Sequence, residues 1–201
     1  MQDLTVTLLQ TALAWHEPAA NRAHFSELLR GLPEPADLVV LPEMFTTGFT
    51  MDVRGQAETM AGPTVAWMAG LARELNVTLC GSLIVEEAGR FHNRCVWMPP
   101  DGRLVHYDKR HLFRMAGEHE HFTAGDRREI VTLKGWRICP LVCYDLRFPV
   151  WSRGANAFDL KAVSGLDFES VPQRRARIAA EGERPGLARG RPPEPGARDP
   201  V

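Results

Sequence analysis

Three short stretches end in side chains capable of covalent chemistry: DLVVLPE in Glu43, RLVHYDK in Lys109 and WRICPLVC in Cys143. Each follows an apolar or alternating run that stops abruptly, so each reactive group is expected where a strand terminates. Open α/β sheets collect ligands at the carboxyl ends of their strands. If these strands share a sheet edge, a carboxylate, an ammonium and a thiol converge there. A nearby ammonium favours the thiolate, and a carboxylate within reach takes the thiol proton during attack. The ammonium and the backbone N–H of Tyr144 could then hold the oxyanion of a tetrahedral intermediate, at about 3–4 kcal/mol per donor. Such a set suits acyl transfer from an amide or nitrile carbon.

The elements that must position these groups read as an α/β chain. LTVTLLQ (4–10) suits a strand, Pro18 opens a helical pattern ending at Gly31, and DLVVLPE (37–43) reads as a strand buried on both faces. Gly62-Pro63 starts a second helix, with Val65, Met68, Ala69, Ala72 and Leu75 at helical spacing, before VTLCGSLIV (77–85) returns to strand. FHNRCVWM (91–98) and RLVHYDK (103–109) flank Pro-Pro-Asp-Gly and read as a hairpin. REIVTL (128–133) and WRICPLVC (136–143) form a second hairpin about Lys134-Gly135.

With 44% hydrophobic and 24% charged residues among 201, the expectation is one soluble domain. A net charge of −1 gives no reason to expect nucleic acid or an anionic membrane as partner. The opening MQDLTVTLLQ lacks a basic n-region and a long apolar core, and no run is long enough to span a bilayer, so a cytoplasmic location is expected. Four scattered cysteines do not make a disulfide framework, and Cys80, Cys95 and Cys139 read as core filling. Beyond residue 160 the chain becomes rich in Pro, Gly, Arg and Glu, with one aromatic residue and no sustained apolar period. Residues 161–201 are therefore expected to be a low-complexity tail without regular structure. Its eight Lys or Arg against six Asp or Glu are too balanced for a phosphate-binding arm.

LPEMFTTGF, YDKRHLF and CYDLRFP, in that order, resemble the Glu-Lys-Cys motifs of the nitrilase, or carbon-nitrogen hydrolase, superfamily, most closely its omega-amidase branch. Three motifs in order are specific where any one alone is weak. The likeness covers residues 4–160. It implies an αββα sandwich, no metal or organic cofactor, Glu43 as general base, Lys109 as oxyanion stabiliser and Cys143 as nucleophile. It also implies a second glutamate in GEHEHFTAGD that positions the lysine and the attacking water; Glu118 fits best and Glu120 is the alternative. The implied reaction is hydrolysis of a small-molecule amide by water, with ω-amides of short dicarboxylates such as 2-oxoglutaramate as substrates. Other amides, carbamoyl compounds or nitriles are the alternative. The family's sandwich continues past the nucleophile, and residues 161–201 do not resemble that continuation; they read like a GC-rich gene translated out of frame. The expected sandwich is thus incomplete: a hydrolase domain over 1–160, an inactive fragment as the competing reading, and a family homo-oligomer not expected to carry over.

Each residue also has a bland reading. A cysteine ending a strand is usually core, Glu43 could start a helix, and Lys109 beside Asp108 could be a solvated pair worth at most about 1 kcal/mol. Asp145 and Arg147, two apart, are expected to brace the turn after Cys143 and to satisfy each other, and Phe45 and Phe49 either line a pocket or pack. A Cys143–histidine pair drawing on His111, His119 or His121 lacks sequence context. A metal site from Cys139, Cys143, His119 and His121 has only loose ligand spacing.

Overall fold

The computed structural model describes residues 2–153, 158–165 and 174–178. Strand β1 (Leu4–Leu8), helix α1 (Pro18–Arg30), strand β2 (Leu38–Val40), helices α2 (Val53–Gln56) and α3 (Pro63–Leu75), and strand β3 (Thr78–Glu87) follow one another as β-α-β-α-β. The three strands run parallel, with Val6 opposite Leu38 and Leu38 opposite Thr78. Both long helices carry proline in their first turn, where its missing N–H costs nothing. Helix α3 stops at Asn76, a left-handed cap with φ 50°.

Strands β4 (Arg90–Met98) and β5 (Val105–Asp108) then add as antiparallel neighbours. A short helix α4 (Glu118–His121) leads to β6 (Val131–Leu133), β7 (Trp136–Val142), helix α5 (Pro149–Ser152), β8 (Leu160–Ser164) and β9 (Arg174–Ile178). The first sheet has the order β5-β4-β3-β2-β1-β9 and the second β6-β7-β8. The β6–β7 turn is made by Lys134 and Gly135, at φ 51° and 84°, the backbone a two-residue hairpin needs.

Strand β2 shows why its sequence lacks alternation. Val39 and Leu41 pack with Phe25, Phe45 and Met68 in the layer between helices and first sheet, whereas Leu38 and Val40 meet Ile138, Leu141 and Val142 between the sheets. Both faces are buried, and each such side chain contributes about 1.5–3 kcal/mol of burial. Truncating the fully buried Phe25 to alanine would cost about 3–5 kcal/mol. Helices, first sheet and second sheet supply three successive layers of the nitrilase-type sandwich. Among the described residues, no helix is long and apolar enough to cross a membrane.

Two boundaries differ from the sequence reading. Strand β2 ends at Val40, because Pro42 has no N–H to continue the ladder, so Glu43 lies three residues past the strand rather than at its tip. Lys161–Ser164 and Arg174–Ile178, read as part of an unstructured tail, are strands. Strand β8 pairs in parallel with β7, and β9 pairs antiparallel with β1. Ser164 gives β8 a physical reason to be there: its Oγ donates to the Leu41 carbonyl at 2.9 Å and accepts from the Ser82 N–H at 3.2 Å, joining the two sheets. The remainder of 161–201 lies outside the described residues.

Candidate active site

Lys109 directly follows β5, and its ammonium is withdrawn from solvent together with the carboxylates of Glu43 and Glu118. Nζ donates to Glu43 Oε1 at 2.7 Å and to Glu118 Oε2 and Oε1 at 2.8 and 3.1 Å. Glu118 opens α4 and points inward, buried, while Glu120 two residues on is exposed. The family resemblance put Glu118 ahead of Glu120, but the local pattern by itself gave no choice, because a four-residue turn has no periodicity to read. Glu118 Oε2 also accepts the Phe113 N–H at 2.5 Å, so both its oxygens are engaged.

Asn93, in the middle of β4, was not singled out from sequence, yet its Nδ2 donates to Glu43 Oε1 at 2.8 Å and to Glu118 Oε1 at 3.0 Å. Glu43 Oε1 therefore accepts twice. Its other oxygen, Oε2, is buried and has no hydrogen-bond partner among the described residues. Burial raises the pKa of Glu43, an effect that the Lys109 ammonium only partly offsets. Burial alone would lower Lys109, but the charges of Glu43 and Glu118 outweigh it and hold the ammonium above its ordinary value. A carboxylate poised above its usual range is a better proton acceptor near neutrality.

Cys143 follows the last residue of β7 with φ 40°, a left-handed backbone that side-chain-bearing residues seldom adopt. Asp145 holds this turn. Its Oδ2 accepts from the Tyr107 hydroxyl at 2.8 Å and the Val142 N–H at 3.1 Å, and its Oδ1 accepts the His111 N–H at 2.9 Å. His111 Nδ1 also pairs with Asp145 Oδ1 at 2.8 Å, and its ring stacks on Phe148 with centroids 3.7 Å apart. Burial, followed by the adjacent Asp145 charge, raises the Tyr107 phenol and keeps it a donor. The expected bracing role of Asp145 is present. Arg147 does not share it: among the described residues it makes no hydrogen bond or ion pair, and it faces the cavity instead.

That cavity, about 500 Å³, is lined by Glu43, Lys109, Cys143, Tyr144, Phe49 and Arg147, among others. Of the five residues given catalytic or oxyanion roles from sequence, Glu43, Lys109, Cys143 and Tyr144 thus line one opening, and Glu118 pairs with Lys109. Phe49 lines it, with its ring 5.6 Å from Lys109 Nζ, whereas Phe45 packs edge-on against Phe25 in the core. Cys80, Cys95 and Cys139 are buried, and Cys139 lies between the sheets, away from the exposed His119 and His121. No metal-holding group of His, Cys, Asp or Glu occurs among the described residues.

The family model for carbon-nitrogen hydrolases matches residues 5–162, from the first strand into β8, and the chain belongs to that family. Within the family the likeness narrows. Over 161 residues the chain is 48% identical to an omega-amidase of Escherichia coli, a match covering 80% of this chain and 62% of the relative. A 2-oxoglutaramate amidase of Bacillus subtilis is 28% identical over 79% of this chain and 64% of its own length. The crystal structure of a carbon-nitrogen hydrolase superfamily protein from Xanthomonas campestris, with an arsenic adduct in its active site, superposes with a TM-score of 0.79 at 44% identity. It covers 82% of this chain and 65% of that one. The chain thus spans less than two thirds of the length of these relatives.

Proposed function

We propose that the chain hydrolyses the terminal amide of short dicarboxylate ω-amides, with 2-oxoglutaramate as the representative substrate. The observation that carries this reading is Glu43 Oε2, a buried carboxylate oxygen without a hydrogen-bond partner among the described residues, in a residue lining the same cavity as Cys143. Cys143 Sγ attacks the amide carbon as Glu43 takes the thiol proton, and Lys109 with the Tyr144 N–H stabilises the oxyanion. The proton passes to the leaving nitrogen and ammonia departs, leaving a thioester on Cys143. Water, deprotonated by Glu43, then attacks the thioester, releasing the acid and restoring the thiol. Glu118, with both oxygens committed, holds Lys109 in place.

The ω-amide preference draws on the names borne by the Escherichia coli and Bacillus subtilis relatives and on Arg147. A dicarboxylate monoamide carries one carboxylate, and Arg147, without a hydrogen bond or ion pair among the described residues, lines the cavity with a guanidinium that can meet it in bidentate fashion. The test is to incubate the chain with 2-oxoglutaramate, follow ammonia release, and look for an acyl adduct on Cys143 by mass spectrometry after acid quenching. The adduct and ammonia should both vanish in Cys143→Ala. An acyl adduct elsewhere, or ammonia release that survives in Cys143→Ala, overturns the reading.

A further inference from the structure

We infer that Asn93 is a positioning residue that selects Glu43 Oε2 as the proton-accepting oxygen, by occupying Oε1 and tying the two carboxylates to one amide. The inference rests on the proposed roles of Glu43 and Cys143. A carboxylate has two oxygens of equal basicity, and a general base works only if the correct one faces the nucleophile with an open lone pair. Lys109 alone would leave the Glu43 carboxylate able to rotate. Asn93 removes that freedom, because its Nδ2 carries two hydrogens and their acceptors lie at 2.8 Å on Glu43 and 3.0 Å on Glu118.

The placement of Asn93 is doubly fixed. It lies on β4 opposite Ile84 of β3, and its backbone carbonyl accepts the Lys109 N–H at 3.0 Å. One residue thereby sets the start of the lysine's excursion from β5 and the orientation of the base that the lysine pairs with. Asn93 is buried, and its own Oδ1 has no partner among the described residues, an arrangement that space filling alone does not explain. Its effect on the base has a definite sign. Burial and then the Glu118 charge push Glu43 up, while the Lys109 charge and hydrogen bond and, more weakly, the Asn93 hydrogen bond draw it down. Without the amide, Glu43 should hold its proton to higher pH.

The test is the pH dependence of Cys143 alkylation by iodoacetamide, in which Sγ displaces iodide and the thiol proton passes to Glu43 Oε2. Sites are mapped by mass spectrometry in the parent chain, Asn93→Leu and Asn93→Ser. Leucine keeps the volume and removes both donors, so the acidic limb should move up by about one pH unit and the plateau rate fall about tenfold. Serine keeps one donor and should fall between. An unshifted limb in folded Asn93→Leu overturns the inference while leaving the Glu43–Cys143 reading intact. Should circular dichroism show that Asn93→Leu does not fold, an unshifted limb in Asn93→Ser overturns it equally. Alkylation of the parent away from Cys143 overturns that reading and this inference with it.

Discussion

Replacing Lys109 by methionine removes the only cation among the described residues that touches the buried carboxylates of Glu43 and Glu118. Methionine fills most of the stem's volume, so packing loss is small and the electrostatic consequence dominates. Nζ meets three carboxylate oxygens at 2.7, 2.8 and 3.1 Å; without it Glu43 and Glu118 retain Asn93 as a shared donor and repel each other. Breaking a buried ion pair in this way costs about 3–5 kcal/mol when the remaining group stays charged. The site has an escape, since Glu43, which burial already pushes above its ordinary value, can take up a proton. In the variant the folded state then binds a proton that the unfolded state releases in the ordinary carboxylate range. Its stability falls by about 1.4 kcal/mol per pH unit as pH rises from that range towards the raised value of Glu43, and the full penalty appears above it. The assay is urea unfolding of parent and Lys109→Met at pH 5, 6, 7 and 8. The difference between them should be small at pH 5 and reach about 3–5 kcal/mol at pH 8. A difference independent of pH, or one below about 1 kcal/mol throughout, would refute the picture of a lysine neutralising two ionised buried carboxylates.

Asp145→Ala leaves the Val142 N–H and the Tyr107 hydroxyl without their acceptor. It should destabilise the chain by about 3–5 kcal/mol in urea unfolding and abolish the preference of iodoacetamide for Cys143. Arg147→Met should raise KM for a carboxylate-bearing ω-amide by about 10- to 100-fold with little change in kcat, as measured by ammonia release, and should not affect a neutral amide of equal length.

Glu43, Lys109 and Cys143 were legible because each ends a strand-like run inside one of three motifs, LPEMFTTGF, YDKRHLF and CYDLRFP, that occur in family order, whereas any one of them alone would have passed as core or surface. Asn93 gave no such signal. It sits inside FHNRCVWM as one more polar position of a strand, and its importance arises only when β4 is laid between β3 and β5 so that two carboxylates, 50 and 25 residues away along the chain, reach its amide. Arg147 was misread for a related reason. A spacing of two suggests an ion pair with Asp145, but the 3₁₀ turn over Cys143–Arg147 turns the carboxylate inward to Tyr107 and His111 and the guanidinium towards the cavity. FDL (158–160) reads as the start of a strand, but the rest of β8 escaped because residues 161–164 are too few and too mixed to show a period. Its stability comes from Ala162 and Ser164 buried against β7 and β2 partners remote in sequence.

The left-handed backbone at Cys143 has a consequence for how this sequence changes over generations. At φ 40° any residue with a Cβ carries a conformational penalty of about 1 kcal/mol or more, which glycine escapes and asparagine feels less. A lineage selected only to persist as a folded chain would therefore gain by exchanging this cysteine for glycine, relaxing the turn and extinguishing the thiol in one step. Drift after loss of purpose should run preferentially towards Gly or Asn at position 143 and rarely towards valine, isoleucine or threonine, whose branching makes that backbone least accessible. Keeping the cysteine is thus opposed by the turn's own conformational preference, and under the proposed nucleophilic role its retention in a descendant copy would record continued selection for that chemistry.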